Sequence, residues 1–212
     1  MNFLLRISPN ITEQSNITSF AQYLAQSMGK QLQFGDTTDD DTDLLFIACP
    51  NRKQTIQRYL NEYRDLRIPY LFLTDTMQMP EQISDILLPV SMLQEEVHKA
   101  QFAAHISRYT GASVQLLTAK DYGSAATQNT NKMATLFEKM DVKYTRSVGS
   151  KDSFSLYKEI PYCKCDLTVL TASREYGLDD LLFGPPERYI ICRSKTPVML
   201  LNPREDLFSL CD

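Results

Sequence analysis

Phe3-Leu4-Leu5-Arg6-Ile7-Ser8 and Ile86-Leu87-Leu88-Pro89-Val90-Ser91 read as one segment written twice, with Ile86 standing 83 positions after Phe3. The helical pattern that follows each copy stops at a glycine, Gly29 in the first and Gly111 in the second, 82 positions apart. Asp43-Leu44-Leu45-Phe46-Ile47-Ala48 then answers Asp166-Leu167-Thr168-Val169-Leu170-Thr171 at 123 positions. Ile68-Pro69-Tyr70-Leu71-Phe72-Leu73 answers Thr196-Pro197-Val198-Met199-Leu200-Leu201 at 128. The landmarks keep their order, and the offset jumps between the second and the third. This predicts two related α/β units in tandem, residues 1–76 and 84–212, the first without a central block that the second keeps.

The fuller unit shows what each piece is. Ile86 to Val90 is a short apolar run, as in a strand buried on both faces. Leu93, Val97, Ala100, Ala104 and Ile106 form a helical stripe, and Gly111 ends it. Ser113 to Thr118 reads as a second strand. A helix follows whose inner side is Met133, Leu136, Phe137 and Met140, then a third strand over Val142 to Val148 and a helix marked by Phe154, Tyr157 and Ile160. Leu167 to Thr171 is a fourth strand. Leu178, Leu181, Leu182, Tyr189 and Ile190 line a helix before the last strand, Val198 to Leu201. The shorter unit offers strands at Phe3–Ile7, Gln31–Phe34, Leu44–Cys49 and Tyr70–Leu73, with helices over Ile17–Met28 and Thr55–Tyr63. Between its second and third strands there is only the acidic run from Gly35 to Thr42, read as a solvated connector. Asp75 to Gln82 reads as the linker between units. Strands alternating with helices of this length predict an α/β, doubly wound (Rossmann-like) parallel sheet.

At 212 residues, 43% hydrophobic and 23% charged, the composition is that of an ordinary globular chain. A net charge of −4 gives no electrostatic footing for nucleic-acid binding. No apolar run is long enough to cross a bilayer, and Met1 to Arg6 reads as a first strand rather than a signal peptide. Five cysteines without framework spacing fit reduced thiols and a cytoplasmic location. Cys163 and Cys165 flank Lys164, a neighbour able to lower a thiol pKa, though core and loop thiols are the simpler reading. His98 and His105 are seven apart with Glu95 and Glu96 nearby; solvated helix residues fit this better than a metal pair. With no G-x-S-x-G elbow, Walker loop or H-E-x-x-H, no catalytic residue and no metal site is expected.

The second unit resembles a universal stress protein domain. The resemblance rests on the first strand Ile86 to Val90, on Gly111-Ala112-Ser113-Val114-Gln115-Leu116-Leu117, and on the closing Lys195-Thr196-Pro197-Val198-Met199-Leu200-Leu201. It rests most on Cys165 to Leu170 leading to Tyr176-Gly177-Leu178-Asp179-Asp180-Leu181-Leu182-Phe183-Gly184. Members of that family are often nucleotide binders. Glycines let the backbone approach phosphate oxygens, which N–H groups and a hydroxyl then hold at a helix N-terminus. Counted back from Gly184, the family's earlier loop glycines fall on Thr171 and Arg174. The loop's Ser/Thr falls on Pro185, and the acidic residue after the first strand falls on Ser91. Only Gly184 keeps its type, so family-type ATP binding, and hence any cofactor, is not expected. The alternative is an adenine-nucleotide binder (ATP or AMP), or slow hydrolase, with an altered site of Ser91, Thr171, Ser173, Arg174 and Gly184. A domain sensing another anion, or a thiol modification at Cys163 and Cys165, is a third reading.

The resemblance implies that a closing strand pairs with its twofold mate. Here Tyr70–Leu73 and Val198–Leu201 would do this within one chain, closing an edge otherwise open to aggregation. The missing centre of the first unit leaves surface for a homodimer or for other protein partners. The expected function is that of a universal-stress-type, non-catalytic regulatory protein acting through binding.

Overall fold

The computed structural model describes residues 2–9, 11, 14–121, 123–172 and 185–203. Nine strands form a single sheet: β1 (Asn2–Ile7), β2 (Gln31–Phe34), β3 (Thr42–Cys49), β4 (Tyr70–Thr74), β5 (Asp85–Val90), β6 (Ser113–Thr118), β7 (Tyr144–Val148), β8 (Leu167–Thr171) and β9 (Val198–Leu201). Their order across the sheet is β2-β1-β3-β4-β9-β8-β5-β6-β7. Every neighbouring pair is parallel except β4 and β9, which run antiparallel with Tyr70 opposite Leu200, Leu71 opposite Met199 and Phe72 opposite Val198. Six helices cover the sheet among the described residues: α1 (Gln14–Ser27), α2 (Lys53–Glu62), α3 (His98–Thr110), α4 (Gly123–Lys139), α5 (Ser153–Glu159) and α6 (Pro186–Arg193).

Strand periodicity divides the core into two layers. On one face Phe3, Leu5, Phe46, Leu71, Leu88, Val114, Val169 and Met199 pack beneath α1, α3 and α4. On the other, Leu4, Leu45, Ile47, Tyr70, Phe72, Leu87, Leu170 and Leu200 pack beneath α2, α5 and α6. Successive residues of a strand point to opposite faces, so both sets must be apolar, and the strands read as unbroken hydrophobic runs. This is the doubly wound α/β fold.

Local chemistry sets the ends of elements. Gly111, at φ +77°, closes α3 in the left-handed conformation and donates its N–H to the Ser107 carbonyl at 2.7 Å. Asp152 caps α5, its carboxylate accepting the Ser155 N–H at 2.9 Å. Residues 75–82 are anchored at two points: Met77 is buried, as is Ile83 just beyond, and the Gln78 N–H bonds the Lys195 carbonyl at 2.7 Å. The seam is stapled on the α2 side. Asn202, just past β9, donates to the carbonyls of Tyr63 and Leu66 at 2.7 and 2.9 Å, and its own carbonyl accepts the Tyr70 hydroxyl at 3.1 Å. Across the way, Asn51 Nδ2 donates to Thr76 Oγ1 and to the Cys192 carbonyl.

Leu93 departs from the stripe assigned to it. The segment before α3 winds as a tight 3₁₀ turn over Gln94–Val97, which turns Leu93 out to solvent and Glu96 in. The expectation of solvated glutamates therefore fails at Glu96.

Candidate functional site

In an open α/β sheet, ligands bind beyond the carboxyl ends of strands where the winding reverses. Here that point lies between β5 and β8. From β5 the chain passes through α3 toward β6 on one side; beyond β8 it passes through α6 to β9 on the other. Pro89 shapes the opening. The pairing of β5 with β8 covers only Ile86 opposite Leu167 and Leu87 opposite Thr168. Pro89 has no N–H to extend that ladder, so the strands part and its carbonyl is left to find another donor.

That donor is Lys99. Its Nζ bonds the Pro89 carbonyl and pairs with the Glu96 carboxylate, and all of this is buried, Lys99 being 2% and Glu96 7% exposed. An unpaired ammonium at this depth would be prohibitive; with a carboxylate and a carbonyl as partners it is tolerated. Leu156, Tyr157, Leu170, Glu187 and Ile190 close in from the opposite face, Glu187 also buried. The cavity they enclose with Ser91 and Thr171 holds about 20 Å³, room for about one water molecule.

Of the five residues assigned to an altered nucleotide site, Ser91 and Thr171 line this cavity together. Ser173, Arg174 and Gly184 lie outside the described residues, as does Cys211. Ser91 is held in place: buried Asn129, on α4, donates to the carbonyls of Ser91 and Leu93 at 3.0 and 2.8 Å. Thr171 Oγ1 is buried with no hydrogen-bond partner among the described residues, and Thr171 also borders a second cavity of about 110 Å³ with Arg67, His98, Lys99, Phe102 and Asn202. Pro185 precedes α6 in extended conformation without a capping side chain, and Pro186 follows it at the helix start. Neither proline has an N–H, so the start of α6 is short of the donors that an anion at a helix N-terminus needs.

In the first half, the corresponding strand ends are bonded to one another. The Ser8 N–H bonds the Ala48 carbonyl at 2.8 Å, and the Asn51 N–H bonds Asp75 Oδ1 at 2.9 Å. No glycine stands there to let a phosphate approach.

The thiols are held protonated. Burial, with a smaller push from Glu159, raises Cys163 to about 11, and burial raises Cys165 despite its contacts with Thr168 and Thr196. Exposed Lys164 does not activate them, because desolvation outweighs a charge that stays in water. Cys49, beneath α2, is pushed up to about 12 by burial. His98 is half-buried and His105 exposed, and among the described residues no group of three or more His, Cys, Asp or Glu is placed to hold a metal ion.

Sequence reasoning missed Lys99 and Glu96. The signal was present: Lys99, Ala103 and Ser107 follow helical spacing on the buried side of α3 with Glu96 in the turn before it, beside the small Ala100 and Ala104 that let the helix approach the sheet.

No protein-family model matches the chain, and no curated protein matches it in sequence. Solved structures do match in fold. A universal stress protein from Archaeoglobus fulgidus superposes with a TM-score of 0.63 over 97% of this chain and 85% of its own, at 10% identity. A Pseudomonas aeruginosa protein assigned to the same family gives 0.55 over 99% and 85%, at 14% identity. The cytoplasmic domain of a prokaryotic cation chloride cotransporter gives 0.61 over 99% and 98%, at 11% identity. At these identities the likeness is one of fold: the chain has the fold of universal stress proteins. Among the described residues no helix is long and apolar enough to cross a membrane.

Proposed function

We propose that this chain is a tandem, universal-stress-type regulatory protein, cytoplasmic and non-catalytic, which works through contacts with other molecules and does not bind adenine nucleotides in the family manner. One observation carries the reading: the buried Lys99–Glu96 pair, tied to the Pro89 carbonyl, stands where a doubly wound sheet would otherwise receive its ligand. A cavity of about 20 Å³ takes a water, not a nucleoside. The prolines at the start of α6 support the same reading. The mirrored strand order on either side of the β4–β9 seam supports descent from a duplication, with β7, α4 and α5 having no counterpart in the first half.

The test is calorimetry of the full chain with ATP, ADP and AMP, together with mass spectrometry of small molecules released from freshly purified protein. No heat and no released nucleotide are expected. Micromolar affinity for any of the three would overturn the proposal. One observation favours the rival reading, an altered adenine-nucleotide site through Ser91, Thr171, Ser173, Arg174 and Gly184: the buried Thr171 hydroxyl has no partner among the described residues and could donate to an acceptor. Loss of a measured nucleotide affinity on Thr171→Val would establish that rival.

A further inference from the structure

Helices α2 and α6 pack side by side over the seam, where Arg188 Nη1 donates to Gln57 Oε1 at 3.0 Å. Their outer surface concentrates positive charge in a chain whose net charge is −4. Lys53, Arg58 and Arg193 are exposed and Arg188 half-buried. Arg58 lies over the Tyr59 ring and Arg193 over the Tyr189 ring, at 4.9 and 4.7 Å from the centroids, a pairing of residue types that recurs at protein interfaces.

The start of α2 also runs against helix electrostatics. Arg52 stands at the cap position without a side-chain capping bond, Lys53 follows, and the first turn holds no acidic residue. Cations at a helix N-terminus oppose the macrodipole. The acidic group beside this helix start comes from elsewhere, the Asp75 carboxylate that accepts the Asn51 N–H at 2.9 Å, while Arg52 and Lys53 stay exposed and add to the positive charge of the face.

The matching negative surface lies in the same chain. Asp36, Asp39, Asp40 and Asp41 are all exposed in the loop after β2, in the gap where the first half lacks a helix. Arg6 fixes that loop to the flank of α2: its Nε lies 3.7 Å from Asp36, its Nη1 reaches Glu62 and the Tyr63 hydroxyl, and its guanidinium sits over Tyr59. One face therefore presents an acidic strip beside a basic one. A half-turn about an axis between the strips sets the acidic strip of each copy against the basic strip of the other, the condition for an isologous pair. We propose that the α2–α6 face is the docking surface for a second copy of this chain, held by reciprocal contacts between Asp36–Asp41 of one copy and Lys53, Arg58, Arg188 and Arg193 of the other.

The test is analytical ultracentrifugation of the full chain from about 1 to 200 μM. A dimer is expected that weakens about tenfold or more between 0.1 and 1 M NaCl, as the screening length falls from about 10 to about 3 Å. The variants K53E/R58E and D39K/D40K should each be monomeric alone, with unchanged circular dichroism. Mixed one to one, they should form a heterodimer, because each then offers the sign the other lacks. A monomer at every concentration in 0.1 M salt would overturn the proposal. So would a dimer indifferent to salt and to both variants, or a mixture that stays monomeric while the wild type associates.

Discussion

Replacing Lys99 by alanine isolates the interaction that fills the switch point. The change leaves the Glu96 carboxylate, 7% exposed, without its ammonium, and takes from the Pro89 carbonyl the Lys99 donor it bonds. Removing one partner of a buried ion pair costs about 3–5 kcal/mol, mostly the penalty of a stranded charge. For a chain of 212 residues that is a fall of roughly 6–20 °C in melting temperature. The control is the double variant Lys99→Met with Glu96→Leu, which replaces the pair by apolar groups of similar volume and should recover most of the loss. Urea unfolding followed by far-ultraviolet circular dichroism measures both. If Lys99→Ala stays within about 1 kcal/mol of wild type, the pair is solvated in solution and the argument that it seals the site collapses.

Three other perturbations follow from particular contacts. Asn202→Ala removes the amide that donates to the Tyr63 and Leu66 carbonyls and accepts the Tyr70 hydroxyl at the seam, and should cost about 1–3 kcal/mol in urea unfolding, with faster hydrogen exchange around residues 63–70. Gly111→Ala meets no neighbouring atom but forces a Cβ onto a residue at φ +77°, so a loss of about 1–2 kcal/mol is expected from backbone strain alone. Cys163, raised to about 11, is a thiol whose thiolate appears only at alkaline pH; at pH 7.5 roughly one molecule in 3,000 is ionised. Iodoacetamide labelling read by mass spectrometry should be slow at neutral pH and climb through pH 10–11, and labelling at pH 7.5 as fast as free cysteine would refute this.

The fold was legible because burial on two faces imposes apolar residues at every strand position. Leu44 to Cys49 and Tyr70 to Leu73 admit no other reading once turns bound them. Gly111 announced a helix end by its backbone freedom, whereas the Asp152 cap of α5 went unread. The site was less legible. Glu96 and Lys99, three apart, have the spacing of an ordinary surface pair on a helix, and residue type outweighs periodicity in such a reading. What buries them is tertiary: the gap that Pro89 opens between β5 and β8, and the alanines that bring α3 close. Leu93 failed for the opposite reason, since its place in the stripe assumes an α-helical turn and the chain makes a tighter one. Core and loop thiols are the preferred reading of Cys163 and Cys165; the alternative, activation by Lys164, rests on adjacency in sequence, whereas the field at a thiol depends on depth.

The antiparallel meeting of β4 and β9 makes the molecule two-ended. The strands β1, β3 and β4 finish on one rim, and β5, β8 and β9 finish on the opposite rim, a strand length of roughly 15–20 Å away. A molecule resting on one rim is out of reach of the other. What joins them is the seam itself: the paired backbones of Tyr70 to Phe72 and Val198 to Leu200, and the contact of α2 with α6 through Gln57 and Arg188.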